Sequence, residues 1–253
     1  MSSSRTVTEV SVPELQSFAD ELWIVDVLYE LKSGKEATVY CCRAGARAKD
    51  HALVAAKVYR PIESRRFKND AVYQTGRMHL ARNGRVKRAA DAKSAFGRKV
   101  QYATWLDNEW QTMHVLHESG ADVPAPLARG ERAILMTYVG NETGPAPKLA
   151  DAEVTRDAAG CIADRLLWNI DLMLRLDCVH GDLSPFNVLH WQDRAVIIDF
   201  PQAIDPRLNP AANSLLSRDV ENICRWAAKH GVTRDAGDFT RRLWSRFVIG
   251  EIG

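Results

Sequence analysis

"VHGDLSPFNVLHWQDRAVIIDFPQ", residues 179–202, is the stretch on which the reading of this chain turns. Two short apolar or aromatic runs, Val188-Leu189-His190-Trp191 and Ala195-Val196-Ile197-Ile198, flank Gln192-Asp193-Arg194. That pattern predicts a β-hairpin closed by a three-residue loop. Pairing Trp191 with Ala195 and stepping back along both strands places Asn187 opposite Asp199, with Asp182 in the loop that enters the hairpin. Two carboxylates and an amide oxygen at one end of a ribbon form a hard-oxygen donor set. Mg²⁺ takes such a set when phosphate and water complete its shell.

The rest of the chain supplies a frame for such a site. Its 253 residues are 46% hydrophobic and 26% charged, as expected of a folded protein of one or two lobes. No apolar run is long enough to cross a bilayer, and "MSSSRTVTEV" lacks the apolar centre of a signal peptide, so a cytoplasmic protein is expected. Cys41, Cys42, Cys161, Cys178 and Cys224 form no C-x-x-C pair and are read as reduced, mostly packing thiols. Net charge is +2 but unevenly placed. Between Arg60 and Lys99, twelve Lys and Arg face three acids, a local excess of nine. Such a window suits phosphate, on nucleotide or RNA; a solvated insertion fits it equally well.

Along the chain, "SVPELQSFADELW" has capping-box spacing from Ser11 to Glu14 and apolar residues at Leu15, Phe18, Leu22 and Trp23, which predicts a short helix. "DVLYELKSGKEATVYCCRAG" reads as strand, glycine turn, strand, and "LVAAKVYR" as a further strand with Lys57 inside it. A helix is expected from Trp105, lined by Leu106, Glu109, Trp110, Met113 and Leu116 and stopped by Gly120. Two strands around Arg129-Gly130, a loop over "NETGPAPKL", and helices near 155–176, 214–230 and 235–248 complete the pass. Strands dominate the first half and helices the second. The expected architecture is a two-lobed α+β protein with a cleft. An N-terminal helical extension would cover 1–23, a β-rich lobe 24–139 with a basic insertion at about 60–100, and a helical lobe 140–253.

Lys57 in a buried strand and Glu109 on the apolar side of a helix each carry a desolvation cost that the other would relieve. Taken alone, Lys57 reads equally well as a lysine snorkelling to the strand edge. The "SGKEATVY" turn (Ser33, Gly34, Lys35, Glu36, with Val39 beyond it) has backbone N–H groups able to lie over phosphates. It lacks the Walker A spacing, and Gly34 taken alone is an ordinary hairpin glycine. The specific signal is the order: glycine turn, strand lysine, helix glutamate, H-G-D-x-x-x-x-N, then Asp after a hairpin. Phosphoryl transfer in protein kinases uses that order.

With these motifs in hand, the chain resembles the RIO family of atypical serine/threonine protein kinases and ATPases. "SGKEATVY", "TWLDNEW", "HGDLSPFNVL" and "IDFPQA" carry the resemblance, over about 31–228. It implies a protein-kinase-like two-lobed fold of RIO type with a truncated C-terminal lobe. Asp182 would be the base, Asn187 and Asp199 the ligands of Mg²⁺ or Mn²⁺, and Lys57 with Glu109 the phosphate-positioning pair. ATP would be the substrate, its adenine held by the hinge at Met136, Thr137 and Val139. Autophosphorylation is also implied, including phosphorylation of Asp199 itself, as is a flexible loop after Lys57. Phe200-Pro201 stands where ordinary protein kinases have Phe-Gly, and proline should restrict that segment. No A-P-E follows, and the last helices are too few for a peptide-docking lobe. Two further readings stay open: a small-molecule phosphotransferase of the aminoglycoside-kinase kind, and an ATP-switched RNA- or ribosome-assembly factor served by the basic window. His79, His114 and His117 are read as surface histidines rather than a metal site.

Overall fold

The computed structural model describes residues 10–60 and 95–253, excepting the side chains of 95–105. The expectations for the basic insertion, for His79 and for the Trp105 side chain fall outside the described residues. By mutual contacts the described residues divide into two compact units, 10–60 with 125–145, and 95–124 with 146–253. The grouping does not coincide with the expected lobes: the helix bearing Glu109 goes with the second unit and 140–145 with the first.

The first unit is built on a five-stranded antiparallel sheet of order β1-β2-β3-β5-β4. Its strands are β1 (Ile24–Ser33), β2 (Ala37–Ala44), β3 (Leu53–Tyr59), β4 (Pro126–Arg129) and β5 (Ala133–Thr137). Register sorts the side chains onto two faces, because directly opposed residues point the same way. Cys42 opposes Val54, and Val58 opposes Ala133. These residues, with Ala56 and Leu135, pack on Leu15, Phe18 and Ala19 to form the core. On the other face Val39 opposes Lys57, which opposes Ile134, and Cys41 opposes Ala55, which opposes Met136.

The N-terminal helix differs from its expected form. It is a 3₁₀ turn, Pro13–Leu15, followed by α1, Gln16–Asp20. Val12 stands at the N-cap with no side-chain cap bond, so the Ser11 capping box does not form. Leu22 is exposed at φ +64° and ends the helix, with Trp23 N–H donating back to the Phe18 carbonyl. The expected stripe therefore stops at Phe18, because Leu22 fills the left-handed position that closes a helix.

In the second unit, α2 (Ala95–Glu118) begins well before the expected start at Trp105. It ends at Gly120, whose φ of +82° accommodates the reversal. Helices α3 (Arg156–Arg175), α4 (Ala212–Lys229) and α5 (Ala236–Val248) follow. Thr155 caps α3 through the Ala158 N–H, and Asp235 caps α5 through the Asp238 N–H. On α3 the buried residues Ile162, Leu166, Ile170 and Met173 recur at helical spacing, so its packed face was legible in sequence. The expected "NETGPAPKL" loop holds a small hairpin, β6 (Gly140–Asn141) with β7 (Gly144–Pro145), within the first unit.

The decisive hairpin, β8 (Val188–Trp191) with β9 (Arg194–Ile197), pairs Trp191 with Arg194 and Val188 with Ile197. The expected three-residue loop is thus a two-residue one. Gln192 and Asp193 both have positive φ, 50° and 61°, the geometry of a type I′ turn that matches strand twist. The correction shifts the ladder by one: the Asn187 carbonyl accepts from Ile198 N–H, not from Asp199. Replacing Gln192-Asp193 by Asn-Gly should relieve left-handed strain and raise unfolding free energy by about 1 kcal/mol. Urea titration reads this directly; a three-residue loop would gain nothing from the exchange.

Candidate active site

Asp182 lies in a loop in which the backbone polar groups of its two neighbours, Gly181 and Leu183, are held by side chains of one helix. Asp219, on α4, is buried and accepts two hydrogen bonds, Oδ2 from Gly181 N–H at 2.8 Å and Oδ1 from Leu183 N–H at 2.9 Å. Arg218 donates to the Gly181 carbonyl, and Asn222 Nδ2 donates to the Leu183 carbonyl at 2.9 Å. Gly181 has φ +78°, and the residues on either side of Asp182 are thereby fixed in both their donors and their acceptors. Burial pushes the Asp219 carboxyl up to about 7, and Asp182's charge acts the same way, while the two N–H donors and Arg218 pull it down. The expected site did not include Arg218, Asp219 or Asn222.

The other side of the loop is tied to the segment that follows the hairpin. Val179 and Ile204 exchange two backbone hydrogen bonds, at 3.0 and 2.9 Å. His180, buried, accepts from Asp182 N–H through Nδ1 at 3.3 Å, which leaves Nε2–H to donate to the Ile198 carbonyl at 3.3 Å. Its ring lies 5.0 Å from that of fully buried Phe200. One imidazole therefore spans the acid-bearing loop and the residue just before Asp199.

Asn187 follows on a single 3₁₀ turn, Pro185–Asn187. Its Nδ2 donates to the Asp182 carbonyl at 2.9 Å and to Asp182 Oδ2 at 3.2 Å. The amide nitrogen is thus committed, and the amide oxygen is the atom left to act as a ligand. Asp199 is half-buried at φ +75°, a left-handed conformation that costs an aspartate energy and turns its side chain off the strand. The charge on Asp199 raises the Asp182 pKa. Asp182 keeps an exposed surface, yet desolvation by the loop is the largest influence on its carboxyl, lifting it above the ordinary range. Arg218 and the Asn187 hydrogen bond oppose that rise. An amide oxygen and a carboxylate are the hard donors a divalent ion takes. The donor set fits Mg²⁺, although among the described residues no three His, Cys, Asp or Glu side chains converge as a metal site.

The remaining expected residues are placed within their own units. In the first, Lys57 is buried, with Nζ 5.3 Å from the Tyr59 ring centroid. Val39, Lys57 and Met136 share the sheet face opposite the core. Ser33 ends β1, its hydroxyl accepting from Arg60 at 2.8 Å, and Gly34 N–H donates to the Ala37 carbonyl at 2.9 Å across Lys35-Glu36. Thr137 spends its N–H on the Ala125 carbonyl and its hydroxyl oxygen on the Ala125 N–H, both at 2.9 Å, so it offers a base no N–H donor. Val139 lies two residues past the end of β5. In the second unit, Glu109 is buried at 1% exposure on α2, beside buried Leu106 and Met113. His114 pairs with Glu118 at 3.2 Å and stacks on Trp110, an exposed helix-surface arrangement.

The model of the RIO domain matches residues 38–239. This chain belongs to the RIO family. It is similar to the RIO-type serine/threonine-protein kinase Rio1 of Methanocaldococcus jannaschii, 31% identical over 230 residues that cover 86% of this chain and 68% of that one. The Rio1 of Thermoplasma acidophilum is 30% identical over 131 residues, 52% of this chain and 67% of the relative. The rio1 kinase of Dictyostelium discoideum is 27% identical over 203 residues, 80% of this chain but 33% of that longer protein. The fold class is the kinase-like α+β class of the RIO domain, and the activity class is that of a RIO-type serine/threonine-protein kinase.

Asp219→Asn removes one of the two acceptors and should cost about 1–3 kcal/mol of stability through the buried N–H left unsatisfied. Turnover should fall at least about tenfold, because each 1.4 kcal/mol lost at the transition state is a factor of ten. A steady-state assay beside a melting curve checks both. Full turnover in a destabilised variant would separate Asp219 from the chemistry.

Proposed function

We propose that this chain is a Mg²⁺- and ATP-dependent RIO kinase in which Asp182 is the catalytic base and Asn187 and Asp199 hold the metal. The observation that carries this reading is the Asp182–Asn187 hydrogen bond inside a loop clamped by Arg218, Asp219 and Asn222. The reading is supported by the Asn187 amide bonding the Asp182 carboxyl and by the charge of Asp199 acting on that same carboxyl. Bound to Asn187 and Asp199, the ion would neutralise charge developing on the phosphate oxygens. Asp182 takes the proton of a serine or threonine hydroxyl as that oxygen bonds to the γ-phosphorus. The bond to the β-phosphate oxygen breaks, and its electrons leave with ADP. With water in place of the hydroxyl the same steps give ATP hydrolysis.

Lys57 is proposed to neutralise the nucleotide's inner phosphates, with Glu109 as its carboxylate partner. The Ser33-to-Val39 turn and the Met136-to-Val139 segment are proposed to contact phosphates and base. A cytoplasmic location is part of the same reading. RNA or a ribosomal particle is proposed as a second partner, on the local excess of nine positive charges between Arg60 and Lys99.

Asp182→Asn should lower kcat by at least about a thousandfold while leaving Mg-ATP affinity within about threefold, since it removes a role confined to the transition state. Near-normal turnover would remove Asp182 from the mechanism. Asp199→Asn should instead weaken Mg-ATP binding itself, read by calorimetry. Because the Asp182 carboxyl is raised and must be ionised to accept a proton, kcat should fall on acidification at a pH above the ordinary aspartate pKa. An acid limb at or below the pKa of an ordinary aspartate would contradict the assignment.

A further inference from the structure

Every polar atom of Asp122, in the loop that follows α2, is engaged within the second unit. Its N–H donates to Asn169 Oδ1 at 2.8 Å, and its carbonyl accepts from Ile197 N–H at 2.8 Å. Its Oδ2 accepts from Asn169 Nδ2 at 2.7 Å and from Arg165 Nε at 2.5 Å, and its Oδ1 accepts from Arg165 Nη2 at 3.2 Å. Asn169 is fully buried on α3, and the Asp122 side chain is only 10% exposed. A carboxylate enclosed by an arginine fork and an amide has one orientation open to it.

The bond to Ile197 joins this cluster to the hairpin. Ile198 N–H donates to the Asn187 carbonyl, so Ile197 N–H, one residue earlier, points to the edge of β9 away from β8. Ile197 is fully buried, and the Asp122 carbonyl satisfies its N–H. The outer edge of β8 is covered too: Leu149 N–H donates to the Val188 carbonyl at 2.8 Å, and His190 N–H to the Pro147 carbonyl at 2.9 Å. Past Asp199, the buried Asn108 donates through Nδ2 to the Ala203 carbonyl at 3.5 Å. Asn108 immediately precedes Glu109 on α2. Helix α2 and the loop that follows it therefore touch the chain two residues before Asp199 and four residues after it.

Resting on the kinase reading above, we infer that Asp122 is a positioning residue for the metal ligand Asp199, acting through the Ile197 N–H at the end of β9. Asp199, at φ +75°, has left the ladder, so its place depends on how firmly the last ladder residues are held. Asn169 and Arg165 orient Asp122, and the Asp122 carbonyl holds β9. The Arg165 side chain is 46% exposed, and such an ion pair contributes little to stability by itself. What it supplies is the direction of one backbone carbonyl. Because the same loop closes α2, displacement of the helix that bears Glu109 is passed to β9 through a single hydrogen bond. The carboxylate of the phosphate-positioning pair and the metal ligand are thereby set together.

The test uses the full chain, first without metal or nucleotide. In Asp122→Ala, amide hydrogen exchange at Ile197 and Ile198 should quicken at least about tenfold, while Val54 and Ala56 of β3 stay protected. Calorimetry then gives Mg-ATP affinity, which should fall at least about fivefold in Asp122→Ala. Leu243→Ala, a buried change on α5, should lower the melting temperature and leave that affinity unchanged. Asn169→Asp sets two carboxylates against each other and should weaken binding as well. Adding Asp122→Asn to it restores an amide facing a carboxylate, and the double variant should bind Mg-ATP more tightly than Asn169→Asp alone. Should Asp122→Ala not fold, Asp122→Asn is read in the same way. Unchanged exchange at Ile197 and Ile198 overturns the inference. So does an equal loss of affinity in Leu243→Ala, or full Mg-ATP affinity in Asp122→Ala when Asp199→Asn has lost it. If Asp199→Asn keeps its affinity while Ile197 and Ile198 exchange faster in Asp122→Ala, the ligand role of Asp199 fails and the hold on β9 stands.

Discussion

A single buried carboxylate, that of Asp219, organises the loop that carries Asp182. Both of its oxygens accept from backbone N–H groups, those of Gly181 and Leu183, on either side of Asp182. Loop backbone usually satisfies itself with solvent, which leaves it mobile. Here Asp219, Arg218 and Asn222 occupy the donors and acceptors from a helix, and the loop takes its rigidity from α4. A base must sit within hydrogen-bond reach of the proton it takes, so this rigidity is what a catalytic role requires.

The second constraint is the turn of the hairpin. Gln192-Asp193 in left-handed geometry fixes a two-residue loop, which sets Asn187 against Ile198 and leaves Asp199 one step beyond the ladder. Asp199 then adopts a left-handed conformation of its own. Its charge and the Asn187 amide act on the same Asp182 carboxyl. Three separate stretches thus converge because His180 and the Val179–Ile204 bridge lock the loop to the hairpin's exit.

Much of this was legible in the residues, and the misses have physical causes. The strands of the first unit and the helices of the second followed from apolar periodicity and from glycines that stop helices. The hairpin loop was misjudged by one because Arg194 fits a turn as well as an edge strand, and a one-residue slip changes every pairing. Ser11 had the spacing of a cap but not the position. Asp219 is the instructive omission. It sits four residues before Ile223 and three to four after Leu215 and Leu216, all buried, so it is an acid on an apolar face. The same reasoning picked out Glu109. Applied to α4 it would have found the residue that fixes the loop.

Amide hydrogen exchange at Gly181 and Leu183 tests the central claim most directly. In the native protein both amides should exchange far more slowly than exposed loop positions such as Thr143, and Asp219→Ala should bring them to loop-like rates while the core of α3 stays protected. Fast exchange at Gly181 and Leu183 in the native protein, or no change on removal of the Asp219 carboxylate, would contradict it.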